Sequence, residues 1–453
     1  MTWIGIDDTD SPRGGCTTFA MTEVIRVARE AGYDLIGHPE LVRLNPNIPY
    51  KTRGNAALAA RFGHGVGRPF PVGWLAGESV NAYVTGRNLS RSEATDLTER
   101  AWRSTLAQAR SEDPGTDPAL VSAPRRLPAG LYWEAVRRVV PVERVERLLS
   151  AHGAELRTSG SRQGLVGAAA ATAWSGAHPT WELLSYRHAG RIGAPRLVEP
   201  ASVRRAEREY PELFLCTDRA TRRVLIAPHT DCPILFGLRA TSPARLPFAA
   251  RQVRGEMPER WVIYRTNQGS GDHLRRISPD RLGPYESAVF VGRVLEPARV
   301  GRGGHAHVAL RTDTGSTVQC VAFEPTKTLP KLLARLVPGD RLRVWGGRGA
   351  DPTFRLEGVE VLSTVPRTAL GRTPRCPRCG GRTSSLGSAR GYRCPRGHAR
   401  LPPESRRVVP LTTPPPRRGR YHPTPSARRH LHPRGPEGTR GGESPVRWWR
   451  NRP

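Results

Sequence analysis

The sequence predicts a multi-domain α+β protein: mixed strands and helices over the first 280 residues or so, then a small β-barrel of the OB type, a zinc ribbon and a basic tail. Three observations carry this. A chain of 453 residues is too long for one hydrophobic core. From Tyr285 onward the pattern changes to short alternating strands with regularly spaced turns. Cys376 and Cys379 then stand in CxxC spacing ahead of a stretch rich in arginine and proline.

The first thirty residues hold the densest chemistry. Trp3, Ile4 and Ile6 read as a short buried strand, and Asp7, Asp8 and Asp10 crowd three carboxylates where that strand should end. Such anions repel one another, and a hard cation such as Mg2+, held by Asp7 and Asp8, would relieve the repulsion. Ser11, Gly14, Gly15 and Thr17 follow, and Thr18 stands beside Thr17 where helical spacing begins with Phe19, Met21, Val24 and Ile25. Free N–H groups at a helix start favour phosphate, and glycines let the backbone approach it. The Walker A pattern GxxxxGK[ST] is absent. The competing reading is an ordinary strand-to-helix turn, capped by Thr17 or Thr18, with solvated aspartates.

Further along, Arg43 to Phe62 reads as a polar loop feeding a strand, with Arg43, Lys51 and Arg53 placed as phosphate or RNA contacts would be. Ser90 and Glu93 have capping-box spacing and open a helix toward Ala109. The turn formers from Ser111 to Pro124 mark a domain boundary or an active-site loop. Helical patterns lie on both sides of Pro141, and Gly160 to Trp174 joins a flexible start to a tightly packed alanine helix. Strands are expected at Thr180 to His188 and on both sides of the turn from Pro228 to Pro233, in which His229 is a candidate ligand contact. The polar residues after Trp261, from Arg265 to His273, suit either a ligand or a domain joint.

The formal charge of +31 is carried almost wholly by arginine, and it implies an acidic partner such as nucleic acid. No run of about 18 apolar residues exists, and Asp7 and Asp8 stand where a signal peptide would be apolar, so a soluble, cytoplasmic protein without membrane partners is expected. Seven scattered cysteines favour reduced thiols plus a metal site. Cys376, Cys379 and Cys394 are three candidate Zn2+ ligands; Gly397 stands where a four-cysteine ribbon needs its last thiolate, and His398 can supply nitrogen instead. Beyond Arg400 the arginine- and proline-rich composition argues against a packed core and for an RNA-contacting arm.

These motifs occur in one order: GIDDTDSPRGGCTT, RLNPNIPYKTRGN, SRQGLVGAAAA, TWELLSYR, APHTDCPILFGLR, YRTNQGSGDHL, VAFEPTK, the cysteine knuckles and GRYHPTPSARRHL. In that order they resemble the archaeal tRNA(Ile) agmatidine synthase family. The resemblance implies an ATP-dependent ligase that joins agmatine to C2 of the wobble cytidine in the CAU-anticodon tRNA(Ile), releasing AMP and pyrophosphate. It implies a kinase-like catalytic domain (1–125), a ferredoxin-like domain (126–280), an OB fold (281–366), a zinc ribbon (372–400) and a tRNA-binding tail (401–453). Asp7, Asp8 and Asp10 match the family's catalytic acidic motif and would hold Mg2+ and the ATP phosphates, and Thr18 matches its autophosphorylated threonine. Arg53, Arg420, Arg428 and Arg429 fall within matched motifs as candidate tRNA contacts. The alternatives are a non-catalytic RNA-binding or tRNA-chaperone protein, which would not require the intact acidic motif, and a small-molecule kinase, which would leave the RNA-suited C-terminal half unexplained.

Overall fold

A computed structural model of the chain describes residues 1–434 except 12, 53, 114, 177, 388 and 411–413, and for 368–370, 408 and 410 the backbone only. The opening strand, Thr2–Asp7, lies deep inside a 12-stranded sheet. It runs antiparallel to Ala56–Val66 on one side and to Ala119–Ala123 on the other, with Ile6 opposite both Leu58 and Leu120. Its neighbours cover both faces, which is why apolar residues run along it without strict alternation. Ile4 and Ile6 face the helix Thr17–Glu30 through Met21 and Ile25, while Trp3 belongs to the opposite core with Val121 and Leu165.

Gly5 sets the geometry of the second face. A side chain there would collide with the Ala168 carbonyl and Thr172, so the helix Gly164–Ala173 packs against the strand with no intervening side chain. Its alanines keep that approach close, and its first turn reaches the end of the strand, at Asp7 and Asp8.

The sheet continues without interruption into the second region. Glu40–Arg43 pairs antiparallel with Ala56–Val66 and parallel with Arg260–Thr266, and Thr180–Tyr186 and Ile234–Ala240 follow outward. Helices Pro200–Glu209 and Leu246–Gln252 cover that end. The stretch after Trp261 works as a joint. Asn267 exchanges hydrogen bonds with the Arg43 backbone at 2.7 and 2.8 Å, and His273 Nε2 lies 2.9 Å from Glu357 in the next domain.

Beyond residue 273 the strands close into the expected barrel. Ser287–Val294 pairs with both Arg341–Arg348 and Ala306–Thr312, and Thr317–Ala322 joins Phe354–Ser363 in parallel. A separate three-stranded sheet, Ser384–Ser385, Tyr392–Arg393 and Arg400–Leu401, forms the ribbon. No helix among the described residues is long and apolar enough to cross a membrane.

The tail departs from expectation. Residues 419–434 are built into the body: Gly419–Tyr421 adds a strand to the barrel, and Leu431 is 1% exposed within the core beneath Trp3. Gly269 and Gly271 donate backbone hydrogen bonds to His430 and Leu431 at 2.8 and 2.9 Å, and the Ser426 hydroxyl donates to Asp218 at 2.8 Å. A composition rule averages over the whole tail, whereas docking needs only a few buried groups and a receptive groove. Of the candidate RNA contacts here, Arg420 lies 3.8 Å from Glu360, Arg428 Nε donates to the Pro423 carbonyl at 3.0 Å, and Arg429 donates to Asn47 at 2.6 Å and Glu357 at 2.9 Å. Arg53 and residues 435–453 lie outside the described residues.

Truncating Leu431 to alanine removes a buried side chain at this junction. It is expected to cost about 2–5 kcal/mol, measured as a lowered urea midpoint for the N-terminal half; an unchanged midpoint would mean that the tail does not stabilise the body.

Candidate active site and zinc centre

The acidic turn is strained and inward-facing. Asp8 has a φ of 61°, a left-handed conformation uncommon outside glycine, and its N–H donates to Asp7 Oδ1 at 2.7 Å. Asp10, and neither threonine, satisfies the helix start: its Oδ1 accepts from the Thr17 N–H at 2.8 Å and the Thr17 hydroxyl at 3.2 Å. Cys16 occupies the N-cap position without making a capping bond, because the carboxylate six residues earlier already fills that role.

Gly15 is required by a close approach, since a side chain there would meet the Thr9 carbonyl. The buried Ser11 hydroxyl donates to Asp113, and the Arg13 guanidinium pairs with the same carboxylate. Asp117 N–H donates to the Asp8 carbonyl at 3.1 Å, and the Thr116 hydroxyl donates to the Asp10 carbonyl at 2.9 Å. The turn-rich segment after Ser111 therefore packs against the acidic turn and leads into the strand Ala119–Ala123.

Two carboxyls in the turn resist ionisation. Burial above all, then Asp8 and Asp10, pushes Asp7 well above the usual carboxylate range, although the Asp8 N–H works the other way. Burial, then Asp117 and Asp10, raises Asp8 to about 7. Among the described residues, no arginine or lysine is one of the groups that shift either carboxyl. Gly167 leaves room for the Asp7 carboxylate, which a side chain there would strike, and Gly164 lies against Asp8 Cβ. Hard oxygen donors from Asp7 and Asp8, side by side in a buried turn, fit Mg2+.

Two cavities meet at Asp10 and Thr17. The first is lined by Asp7 and Asp8, with Asn45, Tyr50, Lys51 and Gln163 around them. The second, of about 650 Å³, is lined by Thr18 and by groups from four distant segments: Arg43, Glu182, Arg239 and His430. Thr18 Oγ1 lies 3.1 Å from Cys16 Sγ, and its carbonyl accepts from the Tyr264 hydroxyl at 2.9 Å, which anchors its backbone. His229 also lines this cavity, 3.0 Å from Arg223. Sequence reasoning did not single out Glu182, Arg239 and His430 because each sits in an unremarkable local context, and only the sheet and the returning tail bring them together.

In the ribbon, one ligand atom from each of Cys376, Cys379, Cys394 and His398 lies within 4.8 Å of the others. Gly397 has a φ of 75° and donates to the Cys394 carbonyl at 2.9 Å, so it shapes the turn that brings His398 round. Burial acts to raise the Cys394 thiol, but the N–H groups of His398 and Arg396 together with the Cys379 and Cys376 thiols outweigh it and bring it to about 7. Three thiolates and an imidazole at this spacing suit a tetrahedral zinc ion.

Comparison with known proteins places this geometry in a family. Residues 3–160 match the TiaS TCKD domain, 162–273 the TiaS FLD domain, and 373–408 the TiaS C-terminal zinc ribbon domain. The isoleucine-tRNA 2-agmatinylcytidine synthetase TiaS of Methanosarcina mazei is 35% identical, over 94% of this chain and 95% of its own. That of Methanocaldococcus jannaschii is 30% identical, over 95% and 97%. Among solved structures, a complex of TiaS with its isoleucine tRNA and ATP superposes with a TM-score of 0.81 at 29% identity, covering 95% of each chain. A complex of TiaS with the same tRNA, AMPCPP and agmatine gives 0.77 at 26%, covering 95% of this chain and 96% of that one.

Two outcomes follow from the site's chemistry. Metal analysis of purified protein is expected to find about one zinc per chain, lost in Cys376→Ser and weakened at least tenfold in affinity by His398→Ala; full retention in both variants would contradict the ligand set. A cation entering the acidic turn must displace the proton on Asp8 below about pH 7. Affinity for Mn2+, used as a probe, should therefore rise at least tenfold, on the order of one proton or more, per pH unit below that point, since the raised Asp7 carboxyl also gives up its proton to the cation. Calorimetric titration showing no pH dependence would count against this.

Proposed function

The chain belongs to the TiaS family of tRNA(Ile) 2-agmatinylcytidine synthetases, and from that membership we propose how its two cavities divide the work. The protein is an ATP-dependent ligase that modifies the CAU-anticodon tRNA(Ile) with agmatine. ATP phosphates lie at the first cavity, against the start of the helix Thr17–Glu30, with Asp7 and Asp8 holding Mg2+ and Asp10 ordering the helix start. Mg2+ there would neutralise the phosphate oxygens and the carboxylates together. The wobble cytidine enters the second cavity, where Thr18 serves as phosphoacceptor. In this reading the first domain is kinase-like, the second ferredoxin-like and the barrel an OB fold, and Arg53, Arg420, Arg428 and Arg429 contribute to the tRNA-facing surface.

The chemistry requires this division. The C2 oxygen of cytosine is a poor leaving group; once it has taken a phosphoryl group from ATP, it departs as inorganic phosphate when the primary amine of agmatine attacks C2 and gives up a proton, and the phosphoryl group that Thr18 accepts is a separate transfer from ATP. Transfer of the phosphoryl group needs ordered phosphates, and the base must leave its stack to reach them. The observation that carries the reading is the meeting of the cavities at Asp10 and Thr17, which sets the anionic turn beside the space faced by Thr18.

Asp8→Ala is expected to abolish ATP-dependent incorporation of labelled agmatine into a CAU-anticodon tRNA(Ile) transcript, while tRNA affinity stays within about threefold. A GAU transcript should take up no label in either protein. Near-normal turnover in Asp8→Ala would remove the acidic turn from the mechanism.

A further inference from the structure

Among the described residues, the second cavity is lined by more guanidinium groups than carboxylates. Glu182, 2% exposed, is shared by two guanidinium groups: Arg43 Nη2 lies 3.4 Å from one of its oxygens, and Arg239 Nε lies 3.2 Å from the other. With its amide in the hydrogen-bonding orientation, Gln268 donates to Glu182 at 3.2 Å and accepts from Arg239 at 2.7 Å. The Arg43 and Arg239 side chains are only 12% and 15% exposed, and Arg43 Nε is buried without a partner. Glu182 is the one carboxylate the two guanidiniums share; Asp10 is the other among the described residues of the cavity wall, and against Arg43, Arg239, Arg223 and Arg428 the wall still carries a net positive charge.

Arg428 and Arg429 line the same cavity, Arg429 in an ion pair with Glu357 at 2.9 Å. His430 beside them is held well below the ordinary histidine range, by Arg43 first, then by burial and Arg239, so its imidazole stays neutral. A buried cationic excess with a free donor suits a tetrahedral dianion, and paired guanidiniums suit phosphate oxygens in particular.

We propose that Arg43 and Arg239, held apart by their shared Glu182, form a phosphoryl-binding station in the cavity faced by Thr18. The inference deepens the functional reading above and rests on it for the source of the phosphate. That source is either a phosphate carried by Thr18 or a backbone phosphate of the RNA at the wobble position. Glu182 spaces the two guanidiniums and tempers their charge, so that the phosphate binds without being trapped.

The test uses full-length, zinc-loaded, unphosphorylated protein in Mg2+-free buffer, where the acidic turn repels anions, and inorganic phosphate as the probe. Calorimetric titration is expected to show saturable binding, weakened tenfold or more in Arg239→Gln and tightened several-fold in Glu182→Gln. Arg299→Gln, which makes the same charge change on the exposed surface of the barrel, should bind as the wild type does. The opposite signs of the first two changes separate the station from a folding defect. Phosphate binding that is equal in wild type, Arg239→Gln and Glu182→Gln would overturn the proposal, as would no binding by the wild type. If the station stands, loss of free phosphate binding after Thr18 phosphorylation assigns it to the phosphothreonine. Competition by an anticodon-loop oligonucleotide on Thr18→Ala assigns it to the RNA backbone. Arginine-dependent phosphate binding in a protein that never incorporates agmatine would leave the station intact and refute the functional reading instead.

Discussion

The organisation of this protein depends on keeping unpaired carboxylates together at the end of a buried strand. Asp7 and Asp8 close a strand flanked on both sides and covered on both faces, so the chain cannot turn them out to water without dismantling the sheet. Left alone, such a turn would protonate, and the raised carboxyls record that tendency. The structure concentrates the cost where a cation and a phosphate chain can offset it. Gly5, Gly164 and Gly167 are the steric condition, since they let a helix press against the strand without filling the space around the carboxylates.

The second cavity is assembled from further away. Its walls come from the strand before the basic loop, two strands of the second domain and the returning C-terminal segment. The segment after the ribbon thus belongs to the catalytic body as much as to any tRNA grip. Leu431 fixes it in the first core, Ser426 ties it to Asp218, and Arg429 spans from the basic loop to the barrel. These contacts join the barrel and the body to the wall of the cavity that Thr18 faces.

Local chemistry was legible in the sequence, and long-range convergence was not. The strand, the acidic turn, the helix after it, the capping box at Ser90 and Glu93 and the zinc knuckle each depend on residues a few positions apart, and each forms where its spacing points. His398 stands with the three cysteines where a fourth ligand atom would be needed, after a left-handed turn at Gly397 that favours glycine. Asp10, though, displaced the threonines as the group that satisfies the helix start, because a carboxylate folding back across the loop competes better for those N–H groups than a neighbouring hydroxyl. The docking of the tail and the triad of Glu182, Arg43 and Arg239 depend on tertiary pairing between distant segments, which no local pattern encodes.

Catalysis as proposed turns on Thr18 facing a cavity that adjoins the metal-holding turn. The most direct measurement is mass-spectrometric mapping of phosphorylation sites after incubation with ATP and Mg2+, on protein that modifies the CAU-anticodon tRNA(Ile) in a parallel reaction. Phosphate on Thr18 in the wild type and none in Asp8→Ala is the expected result. Active protein with an unmodified Thr18, or with its phosphate on another residue, would contradict it.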